Sequence, residues 1–210
     1  AKHIFTDNSK EFATAIDEMC VSHDTCTPYS PASNGIGERS VRRTKEGTST
    51  SLVQCGLADK WWHKAMTCYC FLRNVHDITR NGHTAYKARF GEEFNGPILP
   101  FGCGIKFKPS SPKDIGLLPK FGDKLLDGIF VGYVQRAGGG WSGDIEVIDA
   151  IDLTNAQTVD DIHVKRVSAQ EITVVKTKTG GFTFPILEEV WEQPVDSRTL
   201  TKRTRTGRFL

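Results

Sequence analysis

The run Asp127-Gly-Ile-Phe-Val-Gly-Tyr133, continued by Val134, is the tightest constraint on the fold. Ile129, Val131 and Tyr133 alternate with Phe130, Gly132 and Val134, so both sides of an extended segment here are apolar. A strand with one wet face would alternate polar and apolar residues, so this one must be covered on both faces. Gly132 allows a bend or a close approach within it. Gly138–Gly140 predicts a hairpin tip, and Asp144–Ile148 a returning strand.

Helical periods precede this strand. Phe12, Ile16 and Met19 recur at spacings of four and three, which predicts a helix over Glu11–Cys20 between short strands at His3–Thr6 and Val21–Thr27. Pro28–Gly37 holds two prolines and Asn-Gly, and reads as a loop. A long helix follows from about Ile36–Glu38 to Cys55, with Val41, Thr44, Thr48 and Leu52 as its inner stripe. Asp59 suits the cap of a second helix over Lys60–Asn74. Its inner face is expected at Trp62, Met66, Tyr69 and Leu72–Arg73, widened by Trp61, Ala65 and Cys68. Beyond Leu153, strands are expected at Val159–Val167, Ile172–Val175 and Phe182–Ile186, with a turn at Gly180-Gly181.

Bulk composition excludes some classes. The chain has 210 residues and a formal charge of +2, too small to identify a polyanion partner by itself. Its distribution is more informative. Ile105–Lys124 has five Lys against two Asp, Arg198–Arg208 has five basic residues and no acidic one, and Asp144–Glu171 has seven acidic against two basic. No run of 18 apolar residues predicts a membrane span. The six Cys show no paired C-x-x-C spacing, which argues against a structural zinc site and fits a reducing compartment. An intracellular location is expected, with K-R-T-R in the tail as a weak nuclear signal.

Two acidic residues stand in settings that suit a metal. Asp7 lies in F-T-D-N-S-K-E-F at Phe5–Phe12, and Glu38 in P-Y-S-P-A-S-N-G-I-G-E-R at Pro28–Arg39. Taken singly, T-D-N is an ordinary strand-end turn, because Asp and Asn bond their own backbone. Glu38 could likewise simply pair with Arg42 at i,i+4. In this order and spacing, the two segments resemble the second half of a copia-type retrotransposon integrase catalytic domain. Four further segments follow in the family's order. They are Leu57, Trp62, Ala65, Leu72 and Asn74; H-T-A-Y-K-A-R-F-G at His83–Gly91; F-G-C at Phe101–Cys103; and the strand G-I-F-V-G-Y at Gly128–Tyr133.

The resemblance implies an α/β fold: the C-terminal part of a ribonuclease H-like core with a truncated sheet and long helices, followed by a small SH3-like β barrel. It implies a partial catalytic core over 1–96, the β module over 97–153, a β-rich extension over 154–196 and a disordered basic tail over 197–210. In the family, three carboxylates hold Mg²⁺ or Mn²⁺ for polynucleotidyl transfer, and by resemblance Asp7 and Glu38 are the second and third. Asn8, Lys10, Tyr29, Asn34, Arg39, Arg42, Arg43 and Lys45 then become candidates for DNA contact, the last four on the first turns of the long helix. Two departures are visible. The family's first Asp lies upstream of anything in this chain, and the 30 residues between Asp7 and Glu38 are several fewer than in the family. The chain alone is therefore expected to have little strand-transfer activity. The implied partners are element and target DNA, with a possible homo-oligomer and no membrane. The open alternatives are a non-catalytic DNA- or RNA-binding remnant and a protein-interaction scaffold.

Overall fold

The computed structural model describes residues 3–6, 9–25, 35–116 and 118–194. It is a mixed helix and sheet structure that divides into two compact units, Ala1–Glu46 and Gly47–Leu210. Among the described residues no helix is long and apolar enough to cross a membrane.

The first unit is a parallel β-α-β arrangement. Strands β1 (His3–Thr6) and β2 (Ser22–Thr25) pair in parallel, with His3 opposite Ser22 and Thr6 opposite Thr25. A parallel pair needs a crossover, and helix α1 (Lys10–Glu18) supplies it. Ser9 starts α1 by accepting the Phe12 N–H, and Ile16 is its buried residue. Side chains reinforce the strand pair: His23 Nε2 lies 2.7 Å from Thr6 Oγ1, and His3 Nδ1 3.0 Å from Ser22 Oγ. Helix α2 (Gly35–Cys55) begins in this unit.

The second unit is built on a five-stranded antiparallel sheet. Its strands are β3 (Gly104–Phe107), β4 (Leu126–Gln135), β5 (Trp141–Asp149), β6 (Val164–Ser168) and β7 (Ile172–Val174), in the spatial order β6-β5-β4-β3-β7. The strand expected to be covered on both faces is β4. It sits at the sheet centre with residues 128–133 all buried, and its register slips between Phe130 and Gly132, where a bend was expected. Ile105, Ile129, Val131, Ile145, Val147 and Ile148 have no exposed surface. Strands β6 and β7 are joined only by a single 3₁₀ turn, Ala169–Glu171, yet lie at opposite edges of the sheet. Four flat strand spacings would separate those edges by about 19 Å, whereas the link from Ser168 to Ile172 spans at most about 15 Å. The sheet must therefore curl. Among the described residues the curl does not close into a hydrogen-bonded barrel, because β6 and β7 do not pair with each other. Residues 154–196 supply both edge strands.

Helices α3 (Trp62–His76), α4 (Ala85–Phe90), α5 (Pro112–Ile115) and α6 (Ala150–Asn155) complete this unit. Helix α3 buries Ala65, Cys68, Phe71 and Val75, and Trp61 just before it is buried too, while Trp62 is 54% exposed. Its core stripe is thus one residue out of phase with the expected Trp62-Met66-Tyr69 face. Apolar residues surround most of this helix, so periodicity alone does not fix its phase. The partners do: Phe71 stacks on Tyr133 of β4, and the Tyr69 ring lies against the α2 backbone at Gly47, where an added Cβ would sit 2.1 Å from it. In α2, Thr48 and Leu52 are buried as expected, but Val41 is exposed.

Two local expectations are corrected. The segment expected as one strand over Val159–Val167 opens as a 3₁₀ turn at Val159–Asp161, capped reciprocally by Thr158 and Asp161, and extends only from Val164. Phe182–Ile186 forms a single bridge, Phe182 to Lys176, and not a strand. The chain beyond it crosses the end of α2, where Gln193 accepts from the Ala58 N–H and donates to the Gly56 carbonyl. The expected disordered tail at 197–210 lies outside the described residues.

F-G-C has a packing reason. Phe101 and Cys103 are buried, and Gly102 takes φ +80° with its α carbon against Cys55, where a Cβ would fall 2.1 Å from that residue's own Cβ. A polar clamp closes the far side of the sheet. Lys165 donates to Asp149 (2.7 Å) and Asp114 (2.9 Å), with Asp152 at 3.6 Å, while Asp149 is 1% exposed and also caps α6.

Lys165→Met would leave Asp149 buried without its cation, and is expected to lower the unfolding free energy by about 3 kcal/mol, read from the urea midpoint. Burial opposes the Lys165 charge, but its hydrogen bonds to Asp149 and Asp114 outweigh that and hold its pKa above the ordinary 10.5. The clamp's titrating contribution is therefore complete below pH 10.5 and fades as pH rises through the raised value. Burial also pushes the Cys55 thiol up to about 11 and Cys103 up to about 12, and raises Cys68. Iodoacetamide at about pH 8 should label exposed Cys20 in the native protein and spare these three until urea unfolds it, as peptide mass spectrometry would register.

Candidate nucleic-acid interface

The candidate interface belongs to the first unit and is built on the opening turns of α2. On a helix, Glu38, Arg42 and Lys45 fall at i, i+4 and i+7 and share one face; Arg39, Arg43 and Glu46 form the adjacent row. Arg39, Arg42, Arg43 and Lys45 are all exposed. Arg39 folds back on its own turn, its Nε donating to the Gly35 carbonyl at 3.1 Å. Among the described residues, Arg42, Lys45 and Glu38 make no ion pair, so the alternative in which Glu38 simply pairs with Arg42 is not formed.

Glu38, Arg42 and Lys45 line an open groove of about 760 Å³ with Phe5, Thr6, Phe12, Gly37, Val41 and Glu46. Phe5 is 52% exposed, Phe12 54% and Val41 55%. Sequence periodicity assigns Phe12 and Val41 to the core, but both border this groove instead. Their exposure is a signal that periodicity does not carry. The other wall is the end of β1: Thr6, the last residue of the strand, directly precedes Asp7 in sequence. Lys10 is exposed at the start of α1.

Asp7, Asn8, Tyr29 and Asn34 lie outside the described residues. Glu38 and Glu46 are the acidic residues on the groove. Among the described residues, no group of three His, Cys, Asp or Glu side chains is arranged to hold a metal ion. Hard divalent ions need several oxygen ligands, and a reacting pair needs shared carboxylates. The described donors do not by themselves fit a Mg²⁺ or Mn²⁺ pair.

The Arg42 and Lys45 side chains line an open groove that exposed Phe5, Phe12 and Val41 also border. No family model matches the chain. Among solved structures, a chain in the cryoEM structure of the simian T-cell lymphotropic virus intasome in complex with PP2A regulatory subunit B56 gamma is similar over 84% of this chain and 59% of that one, at 17% identity and a TM-score of 0.35. The present chain thus spans 59% of the length of the chain it matches. Similarity at that level does not establish a shared fold or activity.

Proposed function

We propose that this chain binds DNA along the first turns of α2, as part of a copia-type retrotransposon integrase acting in DNA integration. The observation that carries the reading is the row Glu38-Arg42-Lys45, unpaired and exposed on the groove that also holds Thr6. Arg42 and Lys45, with Arg39 and Arg43 on the neighbouring row, contact phosphates. Such contacts position a duplex without reading its sequence, and their strength falls steeply with salt. Lys10, Asn8, Tyr29 and Asn34 extend the contact by their place in the two motifs. Asp7 and Glu38 are the carboxylates that would face a divalent ion in the complete family site.

A second reading, binding without chemistry, rests on the 30 residues between Asp7 and Glu38, several fewer than in the family the chain resembles. The two readings share the interface and differ only in turnover.

Both are testable on the intact chain. Arg42→Ala with Arg43→Ala should weaken duplex binding in fluorescence anisotropy and reduce the slope of log affinity against log salt by about one per lost phosphate contact. Unchanged affinity would remove the helix from the interface. In a Mn²⁺-supplemented cleavage and joining assay on labelled DNA, the chain is expected to show little product. Robust product that Glu38→Gln abolishes would overturn the reading without chemistry and establish a working metal site.

A further inference from the structure

The loop between β3 and β4 presents Phe121 to solvent at 87% exposure, the highest among the large exposed apolar residues described. Burying a side chain of this size is worth about 2–3 kcal/mol, and Leu118, three residues earlier, does pack against the core. Phe121 does not follow it, because the loop around it is braced. Lys124 Nζ donates to the carbonyls of Pro119 (2.5 Å) and Lys120 (3.0 Å). Asp123 pairs with Lys106 at 3.0 Å and accepts the Leu125 N–H. Gly122 takes φ +139°, with Pro119 Cγ 3.3 Å from where its Cβ would be. The ring is therefore held outward by a fixed turn.

The charges around the ring point to the partner. Lys106 is matched by Asp123 and Asp127. Lys120 has no carboxylate partner among the described residues, and its ammonium sits over the Phe121 ring at 5.7 Å to the centroid. Lys124 is bonded to carbonyl oxygens only. The tip thus carries two ammonium groups without carboxylate partners among the described residues, that of Lys120 over the exposed Phe121 ring. An exposed aromatic flanked by cations is the arrangement that stacks an unpaired base while holding the phosphates on either side. A membrane-inserting tip would need more apolar area than one ring, because a single anchor gives only marginal binding.

We propose that Phe121, with Lys120 and Lys124, is a stacking site for an unpaired base of single-stranded nucleic acid. The inference rests on the nucleic-acid reading above, but it places a separate contact in the second compact unit and specifies single strands.

The test is anisotropy of the full chain with three labelled ligands: a thymidine oligomer of about 16 nucleotides, an abasic strand of the same length and charge, and a duplex. Phe121→Ala should lose about 5- to 150-fold on the thymidine oligomer, Phe121→Trp should retain binding, and the loss should vanish on the abasic strand. Because the ring is exposed, the thermal midpoint of Phe121→Ala should match the parent. Equal affinity of parent and Phe121→Ala for the thymidine oligomer overturns the proposal. So does an equal loss on the abasic strand, which would make Phe121 a brace of the loop. Phe121-dependent sedimentation with phosphatidylserine vesicles, with oligomer affinity unchanged, overturns it in favour of a lipid surface. Duplex binding sensitive to Arg42 and Arg43, with no Phe121 effect, overturns this inference alone. Failure to bind any of the three ligands overturns both readings.

Discussion

The second unit depends on what converges at Tyr133. Its ring stacks on Phe71 of α3 with centroids 4.5 Å apart, and meets Phe94 and Phe130 edge-on at 5.7 and 5.0 Å. Its hydroxyl donates to the Pro97 carbonyl at 2.8 Å and accepts the Leu99 N–H at 2.9 Å. Helix, central strand and the linker between them are thus joined through one side chain. Burial raises its pKa strongly, so the hydroxyl remains a donor at any physiological pH. Phe94 extends the cluster to Trp141 on β5, and Tyr86 extends it to Phe90 on α4. Aromatic pairs in such geometries contribute about 0.5–1.5 kcal/mol each beyond their buried area.

Around this centre the unit uses close approach and polar clamping where apolar packing alone would not fix the geometry. Gly47 admits the Tyr69 ring to the α2 backbone, and Gly102 admits Cys55 to the turn ahead of β3. On the other side, Lys165 ties β6 to the α6 cap and to α5 through two carboxylates. A charged clamp of this kind is poor evidence for stability in itself, since its burial is costly. It does fix which segment lies over the sheet edge.

The elements most legible in the sequence were those with local causes. The doubly apolar strand at 126–135, its bend at Gly132 and the glycine hairpin tip are all where alternation and turn chemistry put them. Strand β1 matches its expected bounds, α2 begins within one residue of its own, α1 is slightly shorter than expected, and β2 lies within its expected span. The phase of α3 was not legible, because Trp61, Trp62, Ala65, Met66, Cys68, Tyr69, Phe71 and Leu72 offer an apolar residue in nearly every direction. At the candidate interface the basic row on α2 could be read from helical spacing, since Arg42 and Lys45 fall one and two turns after Glu38. That Phe12 and Val41 border an open groove was not readable, since the same spacing in another context is buried.

Sequence alone determined the elements with the clearest periodicity, α1, α2, α3, β4 and β5, and that one strand had to be covered on both faces. Those properties come from side-chain alternation and turn residues acting within a few positions of each other. Tertiary structure decided the rest: which face of α3 meets the sheet, that β6 and β7 lie at opposite edges despite a three-residue link, and that Phe12 and Val41 border a groove. The reason is physical. Periodicity states which residues are able to be buried, but only the presence of a partner surface, such as Tyr133 beneath Phe71, determines which of them are.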